Sequence, residues 1–148
     1  MTTRLVLGDH ATQAGDLVLR VGVAEVAALF RRDPPTAGQI EAGIDVVEEA
    51  IGAPAAKFAG ATLQGEGAQL AAIARAAGVD ASREPLTADA VERVFTRLAM
   101  AAGGSLPSAD ALPPGPDFAA TLLLLRELMH HLQIGAVKLE PPHSFPPP

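Results

Sequence analysis

Apolar residues recur every three or four positions in "TAGQIEAGIDVVEEAIG". Ile40, Ile44, Val47 and Ile51 form one stripe, and Glu41, Asp45, Glu48 and Glu49 lie off it. This is the period of an amphipathic helix. Thr36 and Gln39 stand in capping-box spacing before it, and Gly52 is a natural stop after it. "LTADAVERVFTRLAMAAGG" repeats the pattern, with Thr87 as N-cap, Val91, Val94, Phe95 and Leu98 as the stripe, and Gly103 and Gly104 as the end. "AQLAAIARAAG" predicts a third helix, with Leu70, Ile73, Ala74 and Ala77 inward. "VAEVAALFRR" predicts a short one, ended before Pro34 and Pro35, with Arg31 and Arg32 complementing its dipole. A last long helix is expected from Phe118 to Gln133, capped by Asp117.

Two β-favouring runs, Arg4 to Leu7 and Leu17 to Val21, flank a polar connection and predict an N-terminal β-hairpin. "GAVKLE" is a candidate closing strand. "APAAKFAGATLQGEG" is compatible with strand, loop or weak helix, so residues 55–66 stay open. The expected architecture is a single α+β domain over residues 1–140, with about five helices, the hairpin and the C-terminal strand. An all-α bundle is the alternative. Residues 141–148, "PPHSFPPP", predict an extended tail.

Composition sharpens this picture. The 148 residues suffice for one core. Hydrophobic residues make up 49%, yet there are five Phe and no Tyr or Trp, so the core must come from Leu, Val, Ile and Ala on closely approaching elements. The net charge of −6 disfavours nucleic acid. The second helix of a superficial helix-turn-helix, residues 23–51, carries four acids and no Lys or Arg, which argues against base recognition there. No cysteine is present, which excludes disulfides, thiol nucleophiles and cysteine-held zinc. The N-terminus lacks a signal-peptide pattern, and no window reaches the roughly 18 apolar residues of a membrane span. A cytoplasmic protein without a membrane partner is expected.

The chemistry concentrates in "ATLLLLRELMHHLQI". At about 100° per residue, Phe118, Leu122, Leu125, Leu128, Met129 and Leu132 share one helix face. Leu123, Leu124, Glu127, His130 and His131 gather on the other. A helix apolar all round is buried on both sides, by its own chain or by a second copy. Glu127, His130 and His131 are the candidate metal ligands, although a Glu-x-x-His pair supplies only part of a di-iron set. The reading preferred on this pattern places Leu123, Leu124, Glu127 and His131 at a homo-oligomeric contact, with no cofactor, in a non-enzymatic interaction module that self-associates through helix 118–133. The alternative is a small metal-binding protein or hydrolase-like enzyme using Glu127, His130 and His131.

Other motifs carry less. Asp9 and His10 are adjacent in a loop, with no Ser or Cys nucleophile motif to serve, and read as a turn aspartate beside an exposed histidine. "LQGEGAQL" lacks the Lys-Ser/Thr of a phosphate loop, and Glu66 would repel an anion there. Glu48 and Glu49 point about 100° apart and read as a solvated face. No catalytic residue is assigned from the sequence.

Overall fold

The computed structural model describes residues 3–53, 57–107 and 111–141. Strands β1 (Leu5–Leu7), β2 (Thr12–Ala14) and β3 (Leu17–Leu19) form an antiparallel meander. The expected hairpin is thus a three-stranded unit, because the polar link between its two apolar runs holds a strand of its own. Leu5 pairs with Ala14, and Ala14 with Leu17. Gly15, at φ 60°, makes the turn between β2 and β3. Thr12 is polar yet fully buried, and its hydroxyl donates to the Val21 carbonyl at 2.7 Å.

Helices α1 (Val23–Ala27) and α2 (Ala37–Ile51) follow. Thr36 Oγ1 accepts from the Gln39 amide at 3.2 Å, and Gln39 Oε1 accepts from the Thr36 amide at 3.1 Å, so the capping box forms as expected. Thr36→Ala is expected to cost about 1 kcal/mol, by loss of that acceptor, in chemical denaturation.

The ambiguous segment resolves into β4 (Thr62–Gly65), while residues 54–56 lie outside the described residues. Then come α3 (Ala68–Ala76), β5 (Leu86–Thr87), α4 (Ala88–Ala102), α5 (Pro116–Leu132) and β6 (Ala136–Leu139). The α+β expectation is met and the all-α alternative falls. β6 lies between β4, its parallel neighbour, and β5, its antiparallel one. A parallel bridge from Arg4 to Gln64, where the Gln64 amide donates to the Thr3 carbonyl at 2.8 Å, joins the meander to this second group. The described strands therefore run in the order β3-β2-β1-β4-β6-β5. One face of this sheet is solvated: Val6 and Val18 are 48% and 60% exposed, with Gln13 between them in register. The other face buries Leu5, Leu19, Leu63, Leu86 and Val137.

Helix α5 is the hub of the helical layer, packed against α1, α2, α3 and α4. Its N-cap is Gly115, with Pro116 opening the first turn, so Asp117 lies one position inside the helix and does not cap it. Leu122, Leu123, Leu124, Leu125 and Leu128 are all fully buried within the chain. Gly43 allows the close approach of α2: a Cβ there would stand 3.0 Å from Leu123 Cδ1 and 3.3 Å from Val26 Cγ1. Of the expected interface residues Leu123, Leu124, Glu127 and His131, the first three are therefore sealed within the chain, and His131 stays partly exposed. The chain's own helices cover the second apolar side, and Glu127 is only 1% exposed. No helix among the described residues is long and apolar enough to cross a membrane. Residues 142–148, most of the expected tail, lie outside the described residues.

Candidate functional site

Among the described residues, two places gather polar groups. The first is the cluster around Glu127. Arg126 Nη1 donates to Glu127 Oε2 at 2.6 Å, while its Nε and Nη2 reach Glu92 of α4 at 2.9 and 3.3 Å. The same guanidinium lies 4.6 Å over the Phe95 ring. Hydrogen bonding to Glu92 and then Glu127 raises the Arg126 pKa above its ordinary value, against the opposing effect of burial. On the other side, His131 Nε2 stands 3.1 Å from Glu48 Oε2 and 3.4 Å from Glu127 Oε1. Glu48, Glu127 and His131 bring one ligand atom each within 4.8 Å of one another, the one such trio among the described residues.

Of the expected ligands, Glu127 and His131 come together because they are one helical turn apart. His130 points elsewhere: it is exposed and meets His131 only edge-on, with ring centroids 5.1 Å apart. Glu48 takes its place and was missed. The signal was present, since Glu48 follows Ile44 by four residues and precedes Ile51 by three, on the shoulder of the α2 stripe.

The second place is a crevice of about 280 Å³ at the carboxyl ends of β1 and β4. Leu7 and Asp9 line it from the β1–β2 turn, Glu66 and Gly67 from the end of β4. The N-terminal parts of three helices complete it: Val23 and Ala24 of α1, Ala68 to Leu70 of α3, and Asp117 and Thr121 of α5. Ligands of open α/β sheets bind outside the carboxyl ends of the strands. Helix N-termini also carry unpaired amides and a partial positive charge.

The β1–β2 turn is fixed by its own hydrogen bonds. The Gly8 amide donates to Ala11, and the Gly8 and Asp9 carbonyls accept from Val23 and Ala24 at 2.9 and 2.8 Å. α3 starts at Gly67, at φ 129°, with no side chain capping it. Arg4 holds the rim, pairing with Glu140 at 3.0 Å and Glu66 at 3.8 Å. Asp9, Glu66 and Asp117 thus share one opening, although each read singly as a turn or cap residue. His10 takes no part: its Nδ1 meets Glu25 Oε2 at 2.7 Å on the exposed side.

A larger hollow, about 370 Å³, lies between α4, the start of α5 and the Pro34–Pro35 segment. Among its described lining residues the one charged side chain is Asp33, whose Oδ2 accepts from the Gly115 amide at 3.0 Å. Its described lining brings no second charged group beside Asp33.

No protein-family model matches this chain, and no curated protein matches it. Solved structures do. An exopolyphosphatase-like protein superposes with a TM-score of 0.66 at 16% identity, over 93% of this chain and 55% of that one. The Aquifex aeolicus Ppx/GppA enzyme superposes with a TM-score of 0.62 at 14% identity, over 93% of this chain and 52% of that one. The type II variant of the Aquifex aeolicus Ppx/GppA phosphatase gives 0.61 at 12% identity, over 93% and 52%. This chain therefore spans about half the length of these structures and shares the fold of that half. The expectation of a non-enzymatic, self-associating module is corrected on two grounds: α5 has no free second side, and the fold occurs within Ppx/GppA enzymes.

Proposed function

We propose that the chain is a phosphate-cleaving hydrolase domain whose substrate site is the crevice at the carboxyl ends of β1 and β4. The observation that carries this reading is the fold, shared over 93% of the chain with half of an exopolyphosphatase-like protein. The lining suits such a task in a particular way. Asp9, Glu66 and Asp117 repel a bare phosphate chain, so a divalent cation such as Mg²⁺ has to stand between the carboxylates and the substrate oxygens. The open first turns of α3 and α5 add dipole ends that favour the negative charge of the phosphates. Asp9 sits on a turn fixed by backbone hydrogen bonds from Gly8, Val23 and Ala24 and serves as cation ligand or water-orienting base.

Inorganic polyphosphate is the first substrate to test. Orthophosphate release is expected in the presence of Mg²⁺, and Asp9→Asn is expected to lower it by about 100-fold, the lower end for loss of a positioned acid–base group. Binding of polyphosphate is followed in parallel by calorimetry. A chain that neither binds polyphosphate with Mg²⁺ nor releases orthophosphate overturns the reading, as does an Asp9→Asn variant of full activity.

A further inference from the structure

We propose that Glu48, Glu127 and His131 form a binding site for a zinc-type divalent cation, separate from the crevice and joining α2 to α5. The ligand types suit such an ion: one imidazole nitrogen and two carboxylates fit zinc and its first-row neighbours, whereas magnesium prefers oxygen alone. The spacing fits as well. Ligands about 2.0–2.1 Å from a tetrahedral centre stand about 3.3–3.4 Å from one another. His131 Nε2 lies 3.4 Å from Glu127 Oε1 and 3.1 Å from Glu48 Oε2. A neutral imidazole has one proton at most on Nε2, so it cannot donate fully to both oxygens, whereas a cation accepts from all three groups at once.

The charge count points the same way. Three carboxylates, Glu48, Glu92 and Glu127, share the cluster with the single guanidinium of Arg126, and Glu127 is 1% exposed. Arg126 balances Glu127 from one side, and a divalent cation would supply positive charge on the Oε1 side that Arg126 does not reach. Arg126 holds Glu127 Oε2 and leaves Oε1 toward His131, as an outer partner orients a ligating carboxylate. The side chains of His131 and Glu48 are 17% and 42% exposed, so solvent reaches the fourth position from the Glu48 side. Three protein ligands and an accessible fourth position make the ligand set of an open zinc site. Glu127 lies ten residues beyond Asp117 on α5, about 15 Å along the axis. The ion therefore ties helices together and takes no part in the crevice.

The test uses untagged, chelator-treated full chain titrated with Zn²⁺ in calorimetry and with Co²⁺ in visible absorption. One equivalent of Zn²⁺ should bind, with a rise in thermal midpoint, and Co²⁺ should show the intense bands of a tetrahedral centre. Glu48→Gln and His131→Ala should each lower the affinity by more than the roughly 10–100-fold that loss of an outer partner causes. His130→Ala and Asp9→Asn should leave it unchanged. Glu48 is half-exposed, so its glutamine variant keeps the fold, as circular dichroism would verify. Absence of binding at tens of micromolar overturns the proposal. So does binding that survives Glu48→Gln, or that is lost in His130→Ala. Because Asp9→Asn disables the crevice only, failure of the hydrolase reading leaves this outcome legible.

Discussion

Leu123→Ala lowers the stability of the single chain by about 2–5 kcal/mol and leaves its sedimentation unchanged. Leu123 is fully buried where α2, α1 and α5 meet. The cost of such a truncation rises with the cavity that stays open. Gly43 faces Leu123 across the contact and has no side chain to relax into the space. Val26 is β-branched and stiff, so it fills the space poorly. The upper half of the range is therefore expected. In urea the midpoint should fall with an unchanged slope, as for a pure stability loss. A loss below about 1 kcal/mol, or a change in association, would mean that this side of α5 is not sealed by the chain itself.

Gly22→Ala has an effect of similar size from the opposite cause. Gly22 sits at φ −137° and ψ −171°, extended backbone open to any residue, so conformation is no obstacle. Space is the obstacle: a Cβ there collides with the Gly8 carbonyl oxygen and the Asp9 carbonyl group. These are backbone atoms and cannot swing aside. The turn has to shift, and the amides of Val23 and Ala24 lose their acceptors. Overpacking of about 1–3 kcal/mol and two weakened hydrogen bonds of roughly 0.5–1.5 kcal/mol each sum to about 3 kcal/mol or more. Polyphosphate cleavage should fall as well, because Asp9 moves with the turn. Gly38→Ala is the control. It meets nothing within 4 Å in the first turn of α2. Its stability should stay level or rise by up to about 1 kcal/mol. A Gly22→Ala chain as stable as wild type would show that the turn yields freely.

Legibility in the sequence followed the strength of local signals. α2 and α4 announce themselves because Thr36, Gln39 and Thr87 cap them and their stripes keep one period throughout. β2 is hidden because Thr12-Gln13-Ala14 has no apolar run, and its pairing is supplied by neighbours on both sides. β5 is two residues long and exists only because β6 offers an edge. The cap of α5 was misplaced because Asp117 has the right chemistry, but Gly115 and Pro116 set the backbone first.

The sites were harder to read for a different reason. Glu127 and His131 share a helix, so spacing brings them together. Glu48 arrives from α2, and only the α2–α5 packing reveals it. The crevice is wholly tertiary: Asp9, Glu66 and Asp117 belong to three separate loops and helix starts. The two-sided burial of α5 was visible in its leucines, but whether its own chain or a second copy covered it was not.

The position of β6 has a consequence for how the chain comes into being. Thr62 pairs with Ala136, and Leu86 with Val137, so a strand made after all other described elements completes the inside of the sheet. α5, the helix that α1 to α4 all pack on, is made just before it. During synthesis the apolar faces of those four helices therefore lack their main shared partner until α5 and β6 emerge. Such non-local pairing slows folding relative to a helical bundle with local contacts alone. A nascent chain held short of residue 116 exposes unburied leucine, valine and alanine surface, and is the form most in need of a chaperone.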